Sequence, residues 1–184
     1  MNIARPKGNT RHGFALVELL VAISIIVILS VSLLFQQSKF DSSVQITNVA
    51  YDIALAIQEA QTYSKSAVIG DGASDDVSYG VHFVRGSDEF IFYRNNDVIR
   101  GYTSGDEIVE RYTITGRTSI TDICSSETGG GCGKGSVSIS FMRPNPEPTF
   151  SFSPSGGSVA RIVIENDDVT REIIVTQTGQ IKTD

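Results

Sequence analysis

The chain has 184 residues, a formal charge of −6 and two cysteines, room for one folded domain plus a membrane segment but not for two full-sized domains. Arg5, Lys7 and Arg11 all precede Phe14, so the rest of the chain carries 12 basic against 21 acidic residues, a net of −9. That balance argues against nucleic acid as a general partner, because phosphate binding by counterion release needs clustered cations. With only His12 and His82, most metal and acid–base constellations lack parts.

Residues 1–13, MNIARPKGNTRHG, are basic, free of acid and interrupted by Pro6, Gly8 and Gly13. They read as a cytoplasmic flank under the positive-inside rule. The stretch from Gly13 to Phe35 follows, with 22 residues after the glycine that are almost wholly apolar and contain one acid, Glu18. A helix of that length covers roughly 33 Å, enough to cross a bilayer core. A secretory signal peptide is the competing reading. It fits less well, since the run is longer than a signal core and no small-x-small cleavage site follows; Ser38-Lys39-Phe40 is the nearest candidate. An acid near a membrane helix costs up to about 3 kcal/mol on insertion scales and so points to a partner, although one turn from a helix end it can also reach the interface.

Gly13-Phe14 followed by Ala-Leu-Val-Glu-Leu-Leu resembles the prepilin signature of type IV pilins and type II secretion pseudopilins. The resemblance implies cleavage after Gly13 by a prepilin peptidase, N-methylation of Phe14, and Glu18 as the family's characteristic fifth mature residue, paired with the N-terminal amine of a neighbouring subunit. It implies three parts: a leader peptide at 1–13, a transmembrane and filament-core helix at 14–35, and an extracytoplasmic pilin-like domain at 36–184. The implied partners are the peptidase, other pilin or pseudopilin subunits, an inner-membrane assembly platform, and membrane lipid before assembly. The implied location is the inner membrane, N-terminus in the cytoplasm, and then a cell-surface or periplasmic filament. Two departures stand out. Val27 and Phe35 occupy places where relatives commonly carry glycine and proline, and His12 replaces the usual basic residue before the glycine.

From Lys39 to about Ile69 the pattern turns amphipathic: Ile46, Ala50, Ile53, Ala54, Ile57, Ala60 and Ser64 fall at helical spacing, with Tyr51 and Leu55 off the stripe. This predicts a helix that continues the membrane segment and lays one face on a domain. NVAYDIALAIQEAQTYSKS also resembles the corresponding helix of minor pilins and H-type pseudopilins. The following DGASDD at 71–76 is a turn-rich acidic loop without the carboxylate spacing of a calcium loop.

Alternation and turn residues then predict strands at Val77–Arg85, Glu89–Arg94, Ile108–Thr115, Thr118–Ile123, Ser136–Met142, Thr149–Ser153, Val159–Glu165 and Arg171–Thr176. The first two flank Gly86-Ser87-Asp88 as a hairpin, and the last two flank NDDVT as another. RPNPEP at 143–148 belongs to a connection or a sheet edge, since proline lacks a ladder donor. Cys124 and Cys132 enclose SSETGGG, a ring flexible enough for a disulfide outside the cytoplasm; two free thiols are the alternative, and zinc is starved of ligands beyond His82. His82 falls inside a strand, where a hydrogen-bonded structural histidine is expected.

The fold expected is α+β, a long N-terminal helix on an antiparallel sheet. No nucleophile elbow, phosphate loop, zinc-protease motif or Cys-x-x-Cys occurs, and the acid pairs Asp75-Asp76, Asp106-Glu107 and Asp167-Asp168 sit in turns, so no catalytic residue, metal or cofactor is expected. The chain reads as an assembly subunit of a pilus or secretion pseudopilus. The alternatives are a DNA-binding minor pilin of an uptake apparatus or a membrane-anchored binding domain that never polymerises. Some relatives bind DNA through arginines in the C-terminal tail; the matching place here, Gly179-Gln180-Ile181-Lys182, holds one lysine.

Overall fold

Fifty-one consecutive residues without glycine or proline form one α-helix, α1 (Leu16–Ser66). Leu, Ile, Ala and Gln make up much of it, and the two strongest helix breakers are absent. The computed structural model describes residues 16–66, 78–96, 100–142, 147–166 and 169–184. The chain divides into two compact units, Met1–Phe40 and Asp41–Asp184, and α1 contributes to both.

In the first unit the described residues are helical, and the side chains from Leu16 to Leu33 all face outward. Ser24 and Ser30 are two of the polar residues in this run. Each donates its hydroxyl to the carbonyl four residues back, Leu20 and Ile26, at 2.8 Å, so neither presents an unsatisfied donor.

The second unit is built on nine strands in two antiparallel sheets. β1 (Ser78–Val84), β2 (Glu89–Asn95), β3 (Glu107–Thr113), β5 (Ser136–Met142) and β6 (Pro148–Ser153) form one, in the order β3-β2-β1-β5-β6. β4 (Ser119–Cys124), β7 (Ala160–Asn166), β8 (Val169–Val175) and β9 (Ile181–Thr183) form the other, in the order β4-β7-β8-β9. The sequence gives the strands to within a residue or two, but the single sheet expected from it is two. Ile181–Thr183, read from sequence as a tail, is a ninth strand on β8. Pro148 opens the edge strand β6, where its missing N–H costs least; residues 143–146 and the 71–76 loop lie outside the described residues.

One core joins the helix to both sheets. From α1 come Ile46, Val49, Ala50, Ile53, Ile57 and Ala60, at steps of three and four. They meet Val81, Phe83 and Phe92 of the first sheet and Ile120, Ile162 and Ile173 of the second. Each isoleucine taken out of water contributes roughly 1.5–3 kcal/mol, while the alanines let the helix approach the strands. Tyr51 and Leu55, off the stripe, are exposed as expected. A polar tie reinforces the packing: Asn166 on β7 donates to Gln45 on α1 at 3.1 Å. The β1–β2 hairpin closes through Arg85-Gly86, where Gly86 takes φ +78°, a conformation costly for a side chain with a Cβ.

The reverse face of the first sheet is polar yet covered. Gly80, His82, Ser138 and Ser140 line it, and Tyr102 from the β2–β3 connection lies over His82 and Tyr93 at 4.9 and 5.3 Å between ring centres. Gly80 has a packing reason: a Cβ there would stand 2.7 Å from the Ile139 carbonyl and 2.8 Å from the Tyr93 hydroxyl.

Candidate functional site: the apolar helix start and the disulfide loop

Glu18 lies in the first turn of α1, exposed and flanked by exposed Val17 and Leu19. A carboxylate there complements the positive end of the helix dipole, which offsets part of the cost of an acid beside hydrocarbon. Behind it, Leu16–Leu33 is long and apolar enough to cross a membrane, and none of that window is buried inside the chain. Leu16, Val17, Leu20, Ile26, Ile28 and Leu33 are all at least 60% exposed. An apolar surface of that extent on a water-soluble body would drive association, so it requires lipid or other helices. Gly13, Phe14 and His12 lie outside the described residues.

Cys124 and Cys132 form a disulfide. Cys124 sits at the buried end of β4, and Cys132 lies in the exposed connection to β5. Three further contacts fix this loop, and none was read from the sequence. Arg161 on β7 places Nη2 3.2 Å from the Cys132 sulfur and Nη1 2.9 Å from Glu172 Oε1. The Asp122 carboxylate accepts from the backbone N–H groups of Ile123 and Gly133 at 2.8 and 2.9 Å. Lys182 on β9 donates to Glu127 at 2.7 Å. Asp122, Cys124 and Cys132 are the one group of three potential metal ligands among the described residues, but a sulfur already bonded to sulfur is no thiolate. The cation at the tail position of DNA-binding relatives is thus engaged: hydrogen bonding to Glu127 raises the Lys182 pKa, and its charge is met within the chain.

His82 is the structural histidine expected of it. Its Nδ1 lies 2.8 Å from Ser138 Oγ, which in turn accepts the Tyr102 backbone N–H at 3.0 Å. The serine oxygen therefore receives one proton and directs its own to the imidazole, an arrangement that suits the neutral ring. Burial lowers the pKa to about 4. Of the acid pairs, Asp75-Asp76 and Asp167-Asp168 lie outside the described residues. Asp106 departs from the expectation of a solvated turn: it is 9% exposed and accepts from Thr103 N, Asn96 N and Thr103 Oγ1 at 2.7, 3.1 and 3.2 Å. It pins the β2–β3 connection that covers His82.

An outward-facing apolar helix with an acid in its first turn, long and apolar enough to cross a membrane, precedes a packed domain with a disulfide, an α+β arrangement. Residues 8–34 match the family model described as the prokaryotic N-terminal methylation motif. This is the prepilin-type cleavage and methylation motif that type IV pilins and pseudopilins carry. Comparison with curated proteins and with solved structures gives no match. The motif implies processing by prepilin peptidase.

Proposed function

We propose that this chain is a prepilin-like structural subunit, cut between Gly13 and Phe14 and methylated on Phe14, that assembles into or primes a type IV pilus or a type II secretion pseudopilus. The observation that carries this reading is the coincidence, within residues 8–34, of the methylation motif with a helix run whose hydrophobic side chains all face outward. Before assembly the run spans the inner membrane with the N-terminus in the cytoplasm. The disulfide supports placing Asp41–Asp184 on the oxidising side.

Cleavage creates a new amine at Phe14, four positions before Glu18, and in a bundle this amine comes next to a neighbour's Glu18. A charged group in an apolar bundle is tolerable when paired, and an amine of one subunit on Glu18 of the next sets the axial register. The inner-membrane assembly platform supplies the setting in which lipid contacts are exchanged for helix contacts. Mass spectrometry of the mature N-terminus tests the reading: methylated Phe14 is expected, and an intact Met1 in assembly-competent cells overturns it. Glu18→Ala is expected to abolish or strongly reduce incorporation while leaving Asp41–Asp184 folded; normal incorporation would remove the register role.

A further inference from the structure

A groove of about 240 Å³ runs between the Asp41–Ser66 part of α1 and the free edge of the first sheet. Val49, Ala56, Phe90 and Ile114 form its apolar floor, and Asp52 and Glu59 stand on its helix side. On the sheet side stands Tyr112, stacked on Phe90 with ring centres 4.9 Å apart.

The hydrogen bonding at the groove is out of balance. The single Tyr112 hydroxyl proton faces two carboxylates, Glu110 Oε2 at 2.9 Å and Glu59 Oε2 at 3.3 Å. A phenol donates once, so when it serves Glu110 its oxygen lone pair is turned on Glu59. Burial and the two acids together push the Tyr112 pKa up, so the phenol stays protonated and adds no further charge. No described ion pair involves Asp52, Glu59 or Glu110, whereas Glu89, Glu107, Glu127 and Glu172 each have a cation. The missing complement is a cation carrying several N–H donors. A metal ion suits the place poorly, since these acids do not belong to a cluster of three ligand groups among the described residues.

β3 lies beside the groove as an edge strand, paired in the described structure with β2 alone and exposed along most of its length. An added strand would place alternate side chains on the α1 side, where the groove opens. We propose that the groove docks an arginine carried by an extended segment of a partner protein, its main chain paired with β3, its aliphatic stem on Phe90 and Ile114, and its guanidinium between Glu59, Tyr112 and Glu110. Arginine fits better than lysine because its planar fork offers five donors and a weakly hydrated face to the stacked rings. The surplus of acid over base in the body favours a basic partner for the same reason. This reading does not depend on cleavage or polymerisation.

The test uses the full chain in detergent micelles and a fluorescently labelled peptide, Thr-Val-Arg-Val-Thr with blocked ends, against the same peptide carrying citrulline, the neutral isostere of arginine. Binding of the arginine peptide is expected, about tenfold or more tighter than that of the citrulline peptide, and weakened as salt rises from low to physiological strength. Glu59→Gln and, separately, the exposed Glu110→Gln should each weaken it by about the same factor, with near-ultraviolet circular dichroism showing both variants folded. Equal binding of the two peptides, no binding at millimolar concentration, or indifference to both variants overturns the proposal. So does concentration-dependent self-association that Glu59→Gln weakens, which would place a second copy of this chain in the groove.

Discussion

The same α-helix presents two different surfaces. From Leu16 to Leu33 its apolar residues point outward in every direction; from Asp41 to Ser66 they are gathered on one side and buried among the strands. The first stretch satisfies its backbone within the helix, and Ser24 and Ser30 bond back to it, so it needs no tertiary partner to hold its shape in an apolar medium. The second derives its stability from contacts with distant strands, as most helices in water do. The difference teaches where a substitution can be felt: in the first stretch, in anchoring and assembly; in the second, in folding.

The largest expected effect follows directly. Ile57 is fully buried among helix and strand residues, and Ile57→Ala should cost the second unit about 2–5 kcal/mol. Ile25, 52% exposed, is the matched control: Ile25→Ala should move the same denaturant midpoint by less than about 0.5 kcal/mol. Urea titration of the full chain in micelles, followed by tyrosine fluorescence, measures both. A similar loss from the two variants would break the distinction between the stretches.

Much of this contrast was legible beforehand because it is local. An uninterrupted apolar run and a stripe at three- and four-residue steps are both patterns within one segment, and Gly13-Phe14 with Glu18 is a short linear motif. Strands showed themselves by alternation, as at Val81 and Phe83 against His82. Alternation says which residues share a face, not which strands become neighbours, so the division into two sheets was hidden. Ile181–Thr183 was too short, with a lysine at its middle, to be told from a tail. The contacts that fix the candidate sites join Gln45 to Asn166, Glu59 to Tyr112 and Arg161 to Cys132, positions brought together only by folding.

The disulfide sharpens the comparison at the next level of effect. Cys124 and Cys132 are eight residues apart, a ring for which chain-entropy arguments give about 2.5 kcal/mol. Cys124→Ser with Cys132→Ser, or reduction, should therefore lower the unfolding midpoint of the Asp41–Asp184 unit by that order. Arg161 loses its sulfur neighbour but keeps Glu172, so β7 and β8 should remain paired. Amide hydrogen exchange would localise the change: protection should fall in 125–133 and stay as before in Leu16–Leu33. Equal loosening of the apolar stretch would mean that its order depends on the strands after all.

Acid provides the finest division, because the imidazole of His82 belongs to the second unit alone. Its folded pKa of about 4 lies below the ordinary 6.5, so the unfolded chain binds the proton more readily. Stability from this group is therefore complete above about pH 6.5 and is lost as the pH falls toward 4; between pH 7 and 5 the loss is about 2 kcal/mol. Burial explains the sign, since the charged imidazolium would lose its hydration there while the neutral ring keeps its hydrogen bond with Ser138. His82→Gln, which keeps a hydrogen-bonding group beside Ser138 without a titrating ring, should flatten that part of the pH profile. Urea midpoints at pH 7, 6 and 5 for the two proteins make the comparison, and parallel profiles would show that other groups carry the acid sensitivity. Helical circular dichroism from the membrane stretch should stay level over this range, since no histidine lies between Leu16 and Leu33.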